Sequence, residues 1–518
     1  MKLAIGITAV QPQWSLLSGQ IGFPFSPLSS TEEISHSHIV TIIVSAKGSD
    51  DLRKNLLSYI HSGGSLLMEA PEAEWLFGIK SQRRYVDYIQ PRAESLFGNV
   101  LPGFIDASLT VPEEADDLFA NDGMNLVEIV REGKGSAVIL PGGLTGLLLN
   151  SDIRRRQFPS VSRYLPTERV ARCSKHTIRE IVQHSLEFLS RERKLPFVSL
   201  HPFPEGKPSC FNLRIDTDFA DEKHISDLYD LCRKHTISAS WFVETGSARE
   251  RLSQFEKMKD QEIGLHCFQH KVFKSYYESE TDIKHGKSLL TGDKISPSGY
   301  AAPFGEWNSS LAKAVESSGF KYSSEFGLAY DDHPFYPWLG DRFSSVLQLP
   351  VHPISAGRLK NAKHNEEDIK HYFAAVMDTN SAHRLPIFIY DHPSSANLDV
   401  LNWFMEHIQE KEISSVTLGG YAEWWKIRDR IKWGSDISTG KLTIKSGGIE
   451  KQAQLLVKNS DGSEAVTPMS DVITFNELDW QESTSLPAIV PMAVRNRISR
   501  KMLTNNFDHI RSKINPWK

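Results

Sequence analysis

The chain has 518 residues, too many for one compact core, so about two to four domains are expected. Its net charge of −5 comes from 59 basic and 64 acidic residues, so no overall positive field would attract nucleic acid. The four cysteines form no CxxC pair, which indicates neither a disulfide framework nor a zinc ribbon. Because this cysteine usage fits a reducing compartment, we expect a cytoplasmic protein.

Residues 1–195 predict a doubly wound α/β domain. Val40–Val44 and Ser65–Met68 are apolar runs typical of buried parallel strands, and the leucines of Asp50–His61 have helical spacing. The apolar N-terminal stretch is interpreted as a first strand rather than as a signal peptide. The domain resembles glutamine-amidotransferase-like or flavodoxin-like domains. No cysteine precedes Cys173, so the amidotransferase nucleophile is absent and we expect a scaffold or a ligand-binding domain.

Residues 196–432 predict a second α/β domain. A helix over residues 168–193 precedes it, and the four prolines of residues 194–208 indicate an extended linker. Strands then alternate with helices, which favours a parallel sheet or a (β/α) barrel. The strand candidates are Phe211–Ile215, Ala239–Val243, Ile263–His266, Ile387–Tyr390 and Val416–Leu418.

The last part of the chain changes character after Trp433. Residues 433–485 predict a small antiparallel β domain, with strands at Lys441–Ile444 and Gln454–Val457. Residues 486–518 form a basic tail, which could lie as an amphipathic helix on the inner membrane face. A helix that docks on the rest of the protein is the interpretation we favour.

Two carboxylates and three histidines follow predicted strands. Asp216 and Asp218 come directly after one strand, where the active sites of βα folds lie. His266 and His270 are four residues apart, which lets both face one metal if the chain makes a helical turn there. A late strand ends at His392. Each feature alone fits an aspartate N-cap or surface histidines, but their order in the chain indicates a site.

This order, together with a turn-rich segment at residues 299–308, resembles the polysaccharide deacetylase family (carbohydrate esterase family 4) over residues 211–428. The forms Leu-Arg-Ile-Asp-x-Asp and Gly-Leu-His-x-x-x-His are most similar to the branch that contains the lipid-linked aminoarabinose deformylase. The resemblance implies a distorted (β/α) barrel that removes an acetyl or formyl group from an amino sugar. Its substrate would be an N-acylated sugar or glycan, carried on a polyprenyl phosphate in that branch.

The resemblance also implies a role for each residue. Asp216 corresponds to the general base and His392 to the general acid. Asp218, His266 and His270 correspond to the ligands of a divalent metal, for which Zn²⁺ is expected. No residue is predicted to bind an organic cofactor.

The chain departs from the family pattern in its third motif. The family has an arginine that steadies the base where this chain has Ala301. Arg214 lies close in sequence, but we expect its side chain on the opposite face of the strand. The family's tryptophan-bearing fourth motif is not recognisable. Further pocket candidates, each of which also fits a polar loop or a core histidine, are Asp331, Asp332, His333 and His352.

Two alternatives stay open. A hydrolase of the same fold could cleave a non-sugar amide, or the chain could be a glycan-binding pseudoenzyme without activity. The alanine at position 301 favours the pseudoenzyme, whereas the presence of all five predicted site residues favours an enzyme.

Overall fold

The computed structural model describes residues 3–28, 34, 39–120, 122–158, 165–447 and 452–482. The chain divides into two compact units that are not continuous in sequence. The first unit takes residues 1–150, 173–207 and 425–489, and the second takes residues 151–172, 208–424 and 490–518. Every helix among the described residues is too short or too polar to cross a lipid bilayer. The basic tail lies outside the described residues.

The first unit contains a sheet with the strand order β2-β1-β3-β4-β9-β8-β7. Its first five strands are parallel, and β1 lies between β2 and β3, so the sheet is doubly wound as predicted. The strands are β1 (Ala4–Ile7), β2 (Phe25–Pro27), β3 (Ile39–Val44), β4 (Ser65–Glu69), β7 (Asp117–Phe119), β8 (Asn125–Glu132) and β9 (Gly135–Leu140). The apolar runs of β3 and β4 are buried because helices cover the sheet.

Helices and three smaller sheets accompany this sheet in the described part of the first unit. The helices are α1 (Pro12–Ile21), α2 (Asp50–His61), α3 (Ala70–Phe77) and α4 (Lys175–Glu192). Strands β5 (Ser81–Ile89) and β6 (Gly103–Pro112) form a hairpin. A second sheet joins β12 (Phe197–Leu200), β23 (Gln454–Lys458) and β24 (Glu464–Pro468), and a third joins β21 (Trp433–Ser438), β22 (Lys441–Ser446) and β25 (Val472–Thr474).

Two predictions for the first unit were wrong in detail. The proline-rich segment is not only a linker, because Phe197–Leu200 pairs antiparallel with Gln454–Lys458 and so satisfies its backbone hydrogen bonds. The helix predicted from residue 168 begins at Lys175, where the side chain of Ser174 accepts a hydrogen bond from the backbone of Thr177. The residues immediately before it form a strand of the second unit.

The second unit is built on an eight-stranded parallel sheet, an open barrel. Its order is β18-β17-β16-β15-β14-β13-β19, and β20 also pairs with β13. The strands are β13 (Cys210–Asp216), β14 (Ser240–Glu244), β15 (Glu262–Cys267), β16 (Gly299–Tyr300), β17 (Tyr322–Ser323), β18 (Leu347–Gln348), β19 (Ile387–Asp391) and β20 (Ser414–Ser415). The backbone N–H of His352 donates to the Phe388 carbonyl at 2.8 Å, which links the chain after β18 to β19 across the opening.

The helices of the second unit alternate with these strands. They are α5 (Glu222–Lys234), α6 (Leu252–Glu256), α7 (Tyr276–Gly292), α8 (Ser309–Ser317), α9 (Ala356–Asn361), α10 (Glu366–Ala382) and α11 (Leu398–Glu410), while α12 (Leu418–Arg430) continues into the first unit. A hairpin of β10 (Ile153–Gln157) and β11 (Thr167–Ala171) also belongs to the second unit.

The strand predicted at Val416–Leu418 was wrong. The strand covers only Ser414–Ser415, and α12 begins at Leu418. The backbone N–H groups of Leu418 and Gly419 donate to the side chains of Ser240 and Glu262, so they are not available to a neighbouring strand. The other four predicted barrel strands form within one or two residues of their expected bounds.

Candidate active site

The carboxylate of Asp216 lies at the end of β13 and is held by Arg214. The Arg214 Nε donates to one carboxylate oxygen at 2.8 Å and Nη2 donates to the other at 2.6 Å. The expectation that these two side chains lie on opposite strand faces was wrong, because residues i and i+2 of a strand share a face. Arg214 therefore contacts Asp216, whereas Ala301 has no side chain that could do so.

Arg214 is fully buried with a second carboxyl group nearby. Burial by itself would lower the pKa of Arg214, but the charges of Asp216 and Glu325 raise it. Burial raises the pKa of Glu325 to about 7, against the opposing effect of the Ser323 hydroxyl and Arg214. The backbone N–H of Ala302 donates to Glu325 at 3.2 Å, which links this carboxyl to the loop after β16.

Asp218, His266 and His270 converge on one point. The Nε2 atom of His266 lies 3.0 Å from Asp218 Oδ1, and Nε2 of His270 lies 3.1 Å from Oδ2. One ligand atom from each residue lies within 4.8 Å of the other two. Thr217, between the two aspartates, accepts the backbone N–H of Glu244 and so fixes the loop that carries Asp218.

A bend rather than the expected helical turn brings His270 to this cluster. His266 lies on β15, and residues 268–270 bend away from the strand. The Asp282 carboxylate, on α7, accepts the backbone N–H groups of Phe268 at 3.1 Å and Gln269 at 2.8 Å. Asp282 therefore holds the bend, a role that sequence reasoning missed because nothing local links residue 282 to residue 270.

His392 reaches the same cluster from β19. Its Nε2 lies 3.1 Å from Asp218 Oδ2. The preceding residue, Asp391, is buried and accepts hydrogen bonds from the backbone of Ala356 and of His392 and from the Asn397 side-chain amide. These three bonds fix the end of β19, and the structure thus brings all five predicted site residues to one edge of the sheet.

The electrostatics of the cluster follow from the Asp218 charge. Burial by itself would raise the pKa of Asp218, but the imidazoles of His266, His270 and His392 lower it well below its ordinary value. Burial opposes protonation of His392, but Asp218 and Asp216 outweigh it and raise the pKa of His392 to about 9. Asp218 also raises the pKa of His270.

The donor set fits a divalent metal ion. Among the described residues, His266 Nε2, His270 Nε2 and Asp218 Oδ1 are buried without a correctly aligned hydrogen-bond partner, although they lie close together. Buried polar atoms normally have partners, and three ligand atoms this close together fit a bound cation. Two imidazoles and one carboxylate are ligands that zinc accepts, and such a three-ligand set leaves a coordination position open.

Two exposed aromatic residues border this cluster. Phe219 is 63% exposed and Phe304 is 55% exposed. Their ring centroids lie 5.4 Å and 4.7 Å from the imidazole of His270. Sequence reasoning missed both, because a phenylalanine is ordinarily a core residue.

The other candidate residues, Asp331, Asp332, His333 and His352, are buried or partly buried. His352 is bonded to the Tyr372 hydroxyl at 2.6 Å, and burial lowers its pKa to about 4, which is typical of a structural histidine. Asp332 and His333 are buried rather than part of a solvated loop. The four cysteines are free and buried, in agreement with the absence of a disulfide framework.

Comparison with known proteins agrees with this geometry. Residues 207–323 match the polysaccharide deacetylase family model. A peptidoglycan deacetylase of Helicobacter pylori is 30% identical over 137 residues, which are 25% of this chain and 45% of the relative. The chain thus spans less than half the length of this curated relative. The family-model match over residues 207–323 includes Asp216, Asp218, His266 and His270, and it ends before His392.

Solved structures also match part of this chain. A peptidoglycan deacetylase of Bacillus subtilis has 15% identity and a TM-score of 0.32, and covers 44% of this chain and 95% of its own. A family 4 carbohydrate esterase of Streptomyces lividans, in complex with acetate, has 14% identity and a TM-score of 0.30, and covers 40% of this chain and 91% of its own.

Proposed function

We propose that the second unit is a metal-dependent deacetylase that removes the N-acetyl group of an amino sugar in a glycan. One observation carries this proposal. The Nε2 atoms of His266, His270 and His392 each lie within 3.1 Å of an Asp218 carboxylate oxygen. The neighbouring carboxylate of Asp216 is held by Arg214. The deacetylase match over residues 207–323 supports the same reaction.

Asp218, His266 and His270 would hold the metal ion. A bound divalent ion at such a site lowers the pKa of a coordinated water toward about 7 and polarises a carbonyl group. Zn²⁺ suits the two imidazoles and the carboxylate.

The chain's own residues handle the protons. Asp216 accepts a proton from the attacking water, and Arg214 keeps both of its oxygens in a fixed orientation. His392 donates a proton to the amide nitrogen as the C–N bond breaks, because an amide anion is a very poor leaving group. The products are a free amine on the sugar and the released carboxylic acid.

We also propose a narrower substrate class on the basis of the motif at residues 213–218. The sequence Leu213-Arg214-Ile215-Asp216 followed by Asp218 is similar to the aminoarabinose deformylase branch, so a formyl group and a polyprenyl-linked sugar are included in the proposal. The amidotransferase-like character of residues 1–195 and the four-part division of the chain remain predictions.

The experiment measures acid release and metal content together. We expect the purified full chain with zinc to release acetate from N-acetylglucosamine oligosaccharides, and formate from a formylated amino sugar if the finer proposal holds. Asp218→Ala and His266→Ala should lose both metal and activity, whereas Asp216→Asn should keep the metal and lose activity. Full turnover by Asp216→Asn would falsify the assignment of the base, and a zinc-loaded protein without any amidase activity would favour the glycan-binding alternative.

A further inference from the structure

Phe219 and Phe304 share three properties that are unusual together. Both are large apolar side chains that remain mostly exposed, at 63% and 55%. Both contact the same imidazole, His270, in edge-to-face geometry with interplanar angles of 64° and 72°. Both also have a left-handed backbone, with φ values of 56° and 60°.

The left-handed backbone opposes the presence of a phenylalanine. At positive φ the Cβ atom of an L residue crowds the neighbouring carbonyl oxygen, so glycine or asparagine is favoured there. Exposure of the ring to water is also unfavourable. Because neither backbone strain nor exposed apolar surface helps folding, both positions have the signature of a functional site.

Backbone hydrogen bonds close the turns that carry Phe219 and Phe304. The backbone N–H of Ala220 donates to the Thr217 carbonyl at 2.7 Å and closes the turn around Phe219. The N–H of Gly305 donates to the Ala302 carbonyl at 3.1 Å and closes the turn around Phe304. Gly305 is required here, because a Cβ atom would lie 2.3 Å from the Phe326 ring. The two rings are therefore presented by defined turns.

We propose that Phe219 and Phe304 form an aromatic clamp that binds the apolar face of the sugar ring whose acylamino group is cleaved. This inference rests on the proposed deacetylase function. The amide carbonyl must reach the cluster of Asp218, His266 and His270, and the amide nitrogen is bonded directly to a carbon of the pyranose ring. The pyranose therefore lies close to His270, where the two rings are. Its C–H bonds on one face supply an apolar surface that can pack on an aromatic ring.

Removal of each ring should weaken substrate binding more than turnover. We expect Phe219→Ala and Phe304→Ala each to raise KM for an N-acetylglucosamine tetrasaccharide about threefold to tenfold. The fall in kcat should be smaller, because neither ring contacts the proton-transfer residues Asp216 or His392 in the proposed mechanism. Phe219→Tyr and Phe304→Tyr keep an aromatic face and should restore most of the affinity.

A glycine variant separates binding from a structural role. Phe219→Gly and Phe304→Gly relieve the left-handed strain, so we expect the melting temperature to stay the same or rise while the affinity falls. If a ring had only a structural role, its removal would lower both the melting temperature and the affinity. Tyr277→Ala, at a 77% exposed tyrosine on α7, is the matched control and should change neither.

Direct titration of the full-length protein with the tetrasaccharide keeps the two proposals apart. If wild type binds the sugar and the ring variants bind more weakly, the clamp is supported even if no acetate is released, and only the proposed function fails. The clamp is overturned if wild type does not bind the tetrasaccharide, or if wild type and the ring variants bind it equally. It is also overturned if a long-chain N-acyl amine without a sugar binds as tightly, which would indicate a lipid site.

Discussion

Arg214 and Asp216 lie two residues apart on one face of β13, and the guanidinium donates to both carboxylate oxygens. In the proposed reaction, this contact gives Asp216 the support that the family resemblance assigns to an arginine at the position of Ala301. A bidentate pair fixes the plane of the carboxylate as well as its charge. The base of the proposed reaction would thus be oriented from its own strand rather than from a separate loop.

The first prediction tests this pair. Arg214→Lys keeps the buried positive charge but cannot bind both oxygens of Asp216, so we expect kcat to fall roughly tenfold to a hundredfold. Metal content should not change, because Arg214 contacts none of the three metal-ligand candidates in the described structure. Steady-state kinetics and metal analysis check the two parts. Arg342→Lys, in a surface ion pair with Glu316, is the control, and an equal loss in both variants would contradict the prediction.

The second prediction concerns the bend that carries His270. Asp282→Asn replaces a carboxylate that accepts two backbone N–H groups, so the bend should loosen. We expect metal affinity to fall about tenfold to a hundredfold, as is common when an outer partner of a metal ligand is lost. Competition with a chelator measures this affinity. Asp293→Asn, at the C-terminal end of the same helix, should leave it unchanged.

The third prediction is a pH dependence of stability through His352. Burial lowers the pKa of His352 from 6.5 to about 4, so the unfolded chain binds a proton at a higher pH than the folded chain. The stabilising effect of the neutral form is therefore present above about pH 6.5 and is lost as the pH falls toward about 4. Between pH 7 and pH 5, we expect the melting temperature of His352→Gln to fall less than that of wild type.

An exposed histidine supplies the control for this experiment. His371→Gln lies on α10 in the same unit and should follow the wild-type pH curve. A His352→Gln curve parallel to wild type would show that this histidine does not contribute to the acid sensitivity.

The fourth prediction concerns the β10–β11 hairpin, which lies outside the matched residues 207–323. Arg169 on this hairpin forms an ion pair with Glu306, directly after the loop that carries Phe304. The backbone N–H of Ala171 also donates to the Phe326 carbonyl at 3.0 Å. Loss of the ion pair should let the loop move, so we expect Arg169→Gln to raise KM about twofold to fivefold with metal content unchanged.

The control comes from the same hairpin. Arg172 pairs with Asp152 at 3.1 Å next to the open end of the hairpin, so Arg172→Gln should leave KM near the wild-type value. Arg169→Lys keeps the positive charge but changes the shape of the side chain. A KM near the wild-type value in this variant would show that the charge is sufficient. A change of KM in the Arg172 variant as large as that in the Arg169 variant would mean that the hairpin acts only as a whole.

The sequence was sufficient for the parts of the fold that depend on local pattern. Continuous apolar runs predicted β3, β4 and four barrel strands, because burial on both faces leaves a clear signal. The short strand Ser414–Ser415 was misplaced because its bounds depend on Glu262 and Ser240, distant in sequence. The sequence predicted those site residues that lie at or shortly after the end of a strand.

The positioning residues were missed for the same physical reason. Asp282 acts through a bend that is 12 or more residues away, and its hydrogen bonds give no periodic pattern in the sequence. The prediction that Arg214 and Asp216 lie on opposite faces of the strand was wrong, although the period of two in a strand was sufficient to place both on one face. Phe219 and Phe304 became notable only through their exposure and φ values, which a sequence does not show.

Strand β12 pairs with β23, although more than 250 residues separate Phe197 from Gln454. During synthesis on the ribosome, the partner of β12 emerges only after the whole barrel of the second unit has been made. The first unit therefore stays incomplete, with an unpaired strand edge, while the barrel can already fold. Premature chain termination after the barrel would consequently leave a nascent protein prone to aggregation through that edge, even with the cluster of Asp218, His266 and His270 intact.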